Sequence, residues 1–243
     1  SYVVNGIPIR NFGGQVFGRH DLTFALTHSV NTTFARLGET LGADRLGERM
    51  DAFGFGRRPP LTDLPPSEIQ ASGRFRGTTL LSDTQPGEDV ARIAIGQERV
   101  LATPLQMAMV ASAVANGGTL MRPYLVATER DANLAVVGRT SPSTFAEPIS
   151  PEVAATMRDM MVGVVDNGTG WRAAIDGVRV AGMTSDVTVL ITDRLYSPGD
   201  TLRFALDYEG LVRAMTSPFV ARRFVTVSGS PAASANASSG TGE

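Results

Sequence analysis

The chain has 243 residues, of which 42% are apolar and 19% charged, with a formal net charge of −2. This apolar content is enough to build a core and excludes global disorder, and the balanced charge gives no indication of nucleic-acid binding. The chain contains no cysteine, which excludes disulfides, thiol chemistry and a Cys-rich metal site. It contains no lysine, which excludes Schiff-base chemistry and a P-loop lysine, and its two histidines are too few for a His-rich metal site. We therefore expect neither cofactor nor metal.

The start of the chain predicts short helices after a glycine-rich segment. Residues 1–20 are typical of irregular structure or a weak hairpin. Asp21 is predicted as the N-cap of a first helix, and Asn31 can cap a second helix that follows at once. A third helix is predicted over residues 43–53, with Gly54 as its stop.

The middle of the chain predicts a long loop and then a central helix. Residues 57–90 contain five prolines and few periodic apolar positions, which is typical of a loop. Thr103 is predicted as the next N-cap, with Pro104 at the first helical position and Gln106 completing a capping box. The helix should end at the glycine pair 117–118. Its small side chains predict tight packing against another element, as in a buried central helix.

The last part of the chain predicts one more helix, two strands and a tail. The helix begins at residues 150–152 and ends near Asn167. Alternating apolar residues predict strands at residues 178–180 and 187–191. Residues 228–243 have no large apolar side chain and predict a disordered tail. No apolar run approaches the roughly 20 residues of a membrane span, so no membrane segment is predicted in this chain.

A small polar cluster, Ser29-Val30-Asn31, lies between the first two predicted helices. One interpretation is functional: a hydroxyl that relays protons and an amide that holds a substrate carbonyl at a cleft. The other is structural, because Ser and Asn are preferred caps at helix junctions. His28 beside Ser29 also suggests a serine hydrolase, although adjacent residues do not normally face each other and the G-x-S-x-G turn of that class is absent.

Five segments occur in a fixed order along residues 1–182. They read DLTFALTHSVNTTFARLGETLGADRL, FGFG, IAIGQERVLATPLQMAMVASAVANGGTLMRPYLV, SPEVAATMRDMMVGVVDNGTG and GVRVAG. In this order and at this spacing they resemble the transpeptidase domain of class B penicillin-binding proteins, particularly of the actinobacterial kind. The block from G-Q through A-T-P-L-Q-M-A to A-N-G-G is the most specific part of the resemblance, and it favours the functional interpretation of Ser29 and Asn31.

The resemblance implies a mixed α+β fold, in which a helical subdomain packs with an antiparallel sheet built from both ends of the domain. Here that sheet would be incomplete at the N-terminus. In the family, the serine of an S-x-x-K motif attacks a peptide ending in D-Ala-D-Ala and forms an acyl-enzyme, and β-lactams are trapped in the same way. The resemblance assigns Ser29 and Asn31 to the S-x-N motif, whose serine shuttles protons and whose asparagine binds the substrate amide.

The sequence departs from the family pattern at two places. No S-x-x-K motif is present, and the resemblance would place it upstream of Ser1. The substrate carboxylate is bound in the family by a K-T-G motif, but this chain reads Met183-Thr184-Ser185, so that Thr184 is the remnant of that motif. Without the nucleophilic serine and both lysines, we expect the chain as written to be catalytically incompetent.

The sequence therefore predicts a fragment of a penicillin-binding transpeptidase domain, related to peptidoglycan D,D-transpeptidation and inactive as written. The alternative is a non-catalytic module that binds a cell-wall peptide or a divisome or elongasome partner. The predicted layout is a partial domain over residues 1–227, family-like to 182 and divergent over 183–227, and then the tail 228–243. By resemblance the ligand is a peptidoglycan stem peptide or a β-lactam, without nucleic acid, at the extracytoplasmic face of the membrane.

Overall fold

Six helices are present among residues 1–81, 88–182 and 191–192, which are the residues that the computed structural model describes. All of them lie in one unit, Ser1–Thr192. The helices are α1 (Leu22–Thr27), α2 (Asn31–Leu41), α3 (Ala43–Ala52), α4 (Val90–Ile93), α5 (Pro104–Ala115) and α6 (Pro151–Asn167), with single 3-10 turns at Phe12–Gly14, Pro66–Glu68 and Trp171–Ala173. None of these described helices has the length and apolar character needed to cross a bilayer.

The strands are short, and every pair within the described residues is antiparallel. They are β1 (Tyr2–Val4), β2 (Ile7–Ile9), β3 (Gly73–Arg76), β4 (Thr79–Leu80), β5 (Val100–Leu101), β6 (Leu120–Met121), β7 (Thr128–Arg130), β8 (Val136–Arg139), β9 (Thr144–Ala146), β10 (Val180–Ala181) and β11 (Ile191–Thr192). The sheets have the orders β1-β2, β4-β3-β5, β6-β9, β7-β8 and β10-β11. Helices together with antiparallel sheets confirm the predicted α+β class.

The main core lies between α5 and α6, which also contacts α1 and β10. Its buried side chains are Ala111, Val114, Met161, Val162 and Ala181. Small residues on α5 allow the close packing that the sequence predicts for a central helix. Helix α6 therefore contacts α1, α5 and β10 and lies at the centre of this core.

A second core joins the β1-β2 hairpin to α2 and α4, with buried side chains at Val4, Ile9, Ala35 and Ala91. Gly38 lies at the crossing of α2 and α4, where an added Cβ would lie 2.3 Å from the Cβ of Ala94. The β1-β2 pair confirms the weak hairpin that was one of the two alternatives predicted for residues 1–20. It positions the segment that follows it against the start of α2.

The prediction of a loop over residues 57–90 is wrong where β3 and β4 lie. Strand β3 pairs with β4 and also with β5, which follows about twenty residues later in the chain. Arg74 occupies a buried position of β3 because its guanidinium forms an ion pair with Glu88 at 2.5 Å. A charged residue at a buried position hides the apolar alternation by which strands are recognised in a sequence.

The predicted ends of three helices are confirmed. Asp21 accepts a hydrogen bond from the backbone N–H of Phe24 at the start of α1, as predicted. At the start of α6, within the predicted residues 150–152, Ser150 accepts the N–H of Val153. Gly54, after α3, has a φ of 92°. This left-handed conformation favours glycine and ends the helix as predicted.

The predicted capping box at α5 is only half formed. Thr103 Oγ1 accepts from the N–H of Gln106 at 3.1 Å, but the Gln106 side chain does not return to Thr103. Gln106 Nε2 instead donates to the carbonyl of Phe53 at 2.7 Å, and Ser72 Oγ receives the N–H of Thr103 at 2.9 Å. The second arm of the cap therefore comes from a residue 31 positions away, which the local pattern does not show.

The strand predicted at 178–180 overlaps β10 only at Val180, which lies opposite Thr192 of β11. Of the strand predicted at 187–191, the structure describes only Ile191, which belongs to β11. The divergent segment 183–227, apart from residues 191 and 192, and the tail 228–243 lie outside the described residues. The domain layout given for them stays a prediction.

Candidate functional site

The candidate site is built on the turn that joins α1 to α2. Ser29 has a φ of 52°, in the left-handed region. The N–H of Ser29 donates to Leu26 O at 3.2 Å and the N–H of Val30 donates to Ala25 O at 2.9 Å. These two hydrogen bonds form a Schellman motif, in which glycine is the preferred residue at the left-handed position. A serine there costs about 1 kcal/mol of strain, and residues strained in this way are concentrated at functional sites.

The prediction that Asn31 caps α2 is wrong, and neither the Ser29 nor the Asn31 side chain caps that helix in this structure. The N-cap of α2 is Val30, which is fully buried and has no side-chain acceptor, and Asn31 is the first helical residue. The acceptor comes from a distant residue: Asn11 Oδ1 receives the N–H of Thr32 at 3.0 Å. Ser29, which is exposed, is therefore not needed to cap the helix.

Asn31 is held in one orientation by the segment that follows β2. Its Nδ2 donates to the carbonyl oxygen of Arg10 at 3.1 Å. Because a carbonyl can only accept, the amide NH₂ must face Arg10, and Oδ1 is the atom left to accept a further hydrogen bond. Ser29, which is exposed, and Asn31, which is half-buried, thus present a hydroxyl and an amide oxygen two residues apart on one turn.

Beside this turn, two histidines and two phenylalanines form an aromatic cluster: Phe17, His20, Phe24 and His28. The ring of His28 lies 4.2 Å from that of Phe24 and 6.1 Å from that of Phe17, between centroids. No hydrogen bond joins His28 to Ser29 within the described part of the chain. The geometry therefore gives no support to the serine hydrolase interpretation.

His20 closes the loop before α1 onto α2. Its Nδ1 lies 2.6 Å from Gly18 O and its Nε2 lies 2.7 Å from Thr33 Oγ1. Since Gly18 O can only accept, Nδ1 carries a proton. Arg10, Asn11 and His20 all support the turn, and the local sequence pattern gives no sign of this because their partners lie 13 to 21 positions away.

The third predicted site residue, Thr184, lies outside the described residues. The structure describes the strand that precedes it, β10, and Gly182, whose N–H donates to Met161 O on α6 at 3.1 Å. Within the described ranges, no group of three or more His, Asp or Glu side chains could hold a metal ion. Ser29 and Asn31 are thus the two predicted residues that the structure brings together.

A sequence profile for the penicillin binding protein transpeptidase domain matches residues 4–184. The chain belongs to the penicillin-binding protein transpeptidase family. Peptidoglycan D,D-transpeptidase PbpA of Mycolicibacterium smegmatis is 37% identical over 182 residues, which is 72% of this chain and 34% of that protein. PbpA of Mycobacterium tuberculosis is 35% identical over 179 residues, with the same coverage.

The fold comparison agrees with the sequence comparison. The structure of penicillin-binding protein A from M. tuberculosis as an imipenem acyl-enzyme complex matches with a TM-score of 0.59 and 31% identity, over 74% of this chain and 40% of that one. The penicillin-binding transpeptidase resemblance and the α+β fold are therefore confirmed, with a family match that ends at Thr184 rather than Gly182. The chain spans about a third of the length of the curated relatives that it matches.

Proposed function

We propose that this chain supplies the Ser29–Asn31 side of a cleft that binds peptidoglycan peptides ending in D-Ala-D-Ala for D,D-transpeptidation. One observation carries the proposal: Ser29 occupies a strained left-handed position that α2 does not need for capping. The same turn leaves Oδ1 of the half-buried Asn31 to accept a further hydrogen bond. Strained residues that local structure does not require are concentrated at functional sites.

Each side chain has a chemical role in this proposal. Asn31 Oδ1 accepts the N–H of a peptide amide, because Nδ2 is already committed to Arg10 O. The hydroxyl of Ser29 both donates and accepts, so it can pass a proton between a neighbouring base and a leaving amine. By the same contacts, a β-lactam with its amide side chain would occupy the cleft.

We also propose that the 243 residues alone do not form an acyl-enzyme. A serine hydroxyl is a poor nucleophile until an adjacent base removes its proton, and the lysine that serves as that base in the family has no counterpart here. Met183 stands where the family has the K-T-G lysine. Losing one charge-assisted contact to the substrate carboxylate costs about 2–3 kcal/mol, or roughly 30–150-fold in transition-state binding.

The second candidate function is a non-catalytic module that binds a cell-wall peptide or a cell-wall synthesis partner. Met183 favours it, because a pocket that only holds a peptide does not need to activate a nucleophile. Reading the coding DNA upstream of Ser1 separates the two candidates. An S-x-x-K motif in frame supports the transpeptidase, and an open frame without one supports the binding module.

Covalent and reversible binding are tested on the same preparation. Intact-mass spectrometry after incubation with benzylpenicillin should show no covalent adduct. A stoichiometric adduct would refute the proposal that these residues alone form no acyl-enzyme. An NMR titration with an N-acetylated peptide ending in D-Ala-D-Ala should perturb the amide signals of Ser29 and Asn31. Asn31→Ala should abolish this binding, while Asn133→Ala, an exposed hairpin position, should leave it unchanged. A peptide that binds neither the parent nor the control would overturn the proposal.

We propose that the chain works at the extracytoplasmic face of the membrane, because its peptide ligands belong to the cell wall. The absence of cysteine makes a direct test possible. Ser141→Cys introduces one exposed thiol, and a membrane-impermeant maleimide should label it in intact cells. Labelling only after cell lysis would refute the location.

A further inference from the structure

We infer that Gly168 and Thr169, which follow α6, are positioning residues that set the location of the Ser29–Asn31 turn. This inference rests on the proposed function of that turn. Neither residue lies on the turn itself. Their effect passes through the backbone of Thr27, the last residue of α1 and the second residue before Ser29.

The closest approach is between Gly168 and Thr27. A Cβ added at Gly168 would lie 2.1 Å from Thr27 O, 2.9 Å from its carbonyl carbon and 2.8 Å from its Cγ2. Gly168 has a φ of −126°, which any residue can adopt. Contact with Thr27, rather than backbone conformation, is therefore the reason that only glycine fits at this position.

The next residue completes the end of α1. The N–H of Thr169 donates to Thr27 O at 3.1 Å. The last carbonyls of a helix have no partner within the helix, and the Schellman motif here uses those of Ala25 and Leu26. The carbonyl of Thr27, which is buried with the rest of that residue, is satisfied by Thr169 instead.

The same support reaches the strand that precedes Thr184. Gly170, the residue after Thr169, donates its N–H to Val164 O on α6 at 2.9 Å, and Gly182, after β10, donates to Met161 O on the same helix. Helix α6 and the three residues that follow it thus hold both the Ser29–Asn31 turn and the end of β10. A shift of about 1 Å, enough to relieve a Cβ at Gly168, would be passed to Ser29 because α1 is closed onto the turn by two hydrogen bonds.

The decisive variant is Gly168→Ala, with Gly138→Ala on strand β8 as the matched control. Gly138 has no left-handed φ, and a Cβ added there would meet only the exposed side chain of Glu129, with the carboxylate oxygen Oε2 nearest at 2.9 Å, so the same chemical change meets no backbone atom. In Gly168→Ala the ¹H–¹⁵N amide signals of Ser29 and Asn31 should move, and affinity for the D-Ala-D-Ala peptide should fall by about tenfold to a hundredfold. Gly138→Ala should leave the signals of both residues and the affinity unchanged.

A gentler variant keeps the test open if Gly168→Ala does not fold. At Gly163, on α6, an added Cβ would lie 3.2 Å from Thr27 Oγ1 and meets no backbone atom of that residue. Gly163→Ala should fold and move the Ser29 signal by less than Gly168→Ala. Unmoved Ser29 and Asn31 signals in a folded Gly168→Ala, or in Gly163→Ala where Gly168→Ala is unfolded, overturn the inference. A parent that binds no peptide would refute the proposed function, while the amide signals still test the positioning.

Discussion

Replacing Ser72 by alanine should destabilise the protein through one buried hydroxyl. Ser72 is fully buried, its Oγ accepts the N–H of Thr103 at 2.9 Å, and it donates to Thr103 Oγ1 at 3.4 Å. The substitution leaves the N–H of Thr103 without a partner, which costs about 1–3 kcal/mol. The substitution also removes the hydrogen bond that orients Thr103 Oγ1, the atom that caps α5 by accepting the N–H of Gln106. Complete loss of such a cap costs about 1 kcal/mol. We expect a total loss of about 2–3 kcal/mol in the free energy of unfolding.

Urea unfolding followed by far-UV circular dichroism measures this loss. Ser141→Ala, at an exposed position, is the control and should change stability by no more than about 0.5 kcal/mol. A double-mutant cycle with Thr103→Ala should give a coupling of about 0.5 kcal/mol or more, because the two side chains share one hydrogen-bonded unit. The reasoning is refuted if Ser72→Ala costs no more than the control, or if the two substitutions are additive.

Two further predictions concern other contacts. The N–H groups of Val126 and Leu125 donate to Asp63 and hold the pKa of its carboxyl below the ordinary value. Because this pKa is lower in the folded state, the ionised carboxylate stabilises the folded protein above the unfolded-state pKa of about 3.9. This stabilisation is lost as pH falls through the folded-state pKa. Asp63→Asn should therefore be less stable than the parent in urea at pH 7, and this difference in stability should narrow at pH 2. An equal difference at both pH values would contradict this. Gly38→Ala should cost about 1–3 kcal/mol in thermal unfolding by overpacking against Ala94, and adding Ala94→Gly should restore most of it; no recovery would exclude that contact as the cause.

The sequence predicted best what a few neighbouring residues determine. The caps at Asp21 and Thr103 each accept the backbone N–H of the residue three positions ahead, so residue type and spacing are sufficient to find them. The end of α3 at Gly54 could be predicted for the same reason, because a glycine directly after a helix commonly takes the left-handed conformation seen here. The family assignment of Ser29 and Asn31 came from several segments in order, because the spacing of two polar residues alone is equally typical of a cap.

Contacts between distant residues explain what the sequence did not predict. Strand β3 was missed because Arg74 is buried by an ion pair with Glu88, fourteen residues away, and not by apolar neighbours. The support of Asn31 by Arg10 was missed because a backbone carbonyl has no sequence signature. The contact of Gly168 with Thr27 was missed because its only sequence signal is a glycine, and the sequence contains 26 glycines.

The Ser29–Asn31 turn shows how these distant contacts sustain a local strain. A serine at the left-handed position of a Schellman motif costs stability that a glycine would not. The turn keeps this conformation because it is held from three directions: Asn11 caps α2, Arg10 fixes the amide of Asn31, and Thr169 satisfies the end of α1. All three partners are separated from the turn by about twenty residues or more. The site is therefore a property of the folded domain, and the S-x-N spacing alone does not create it.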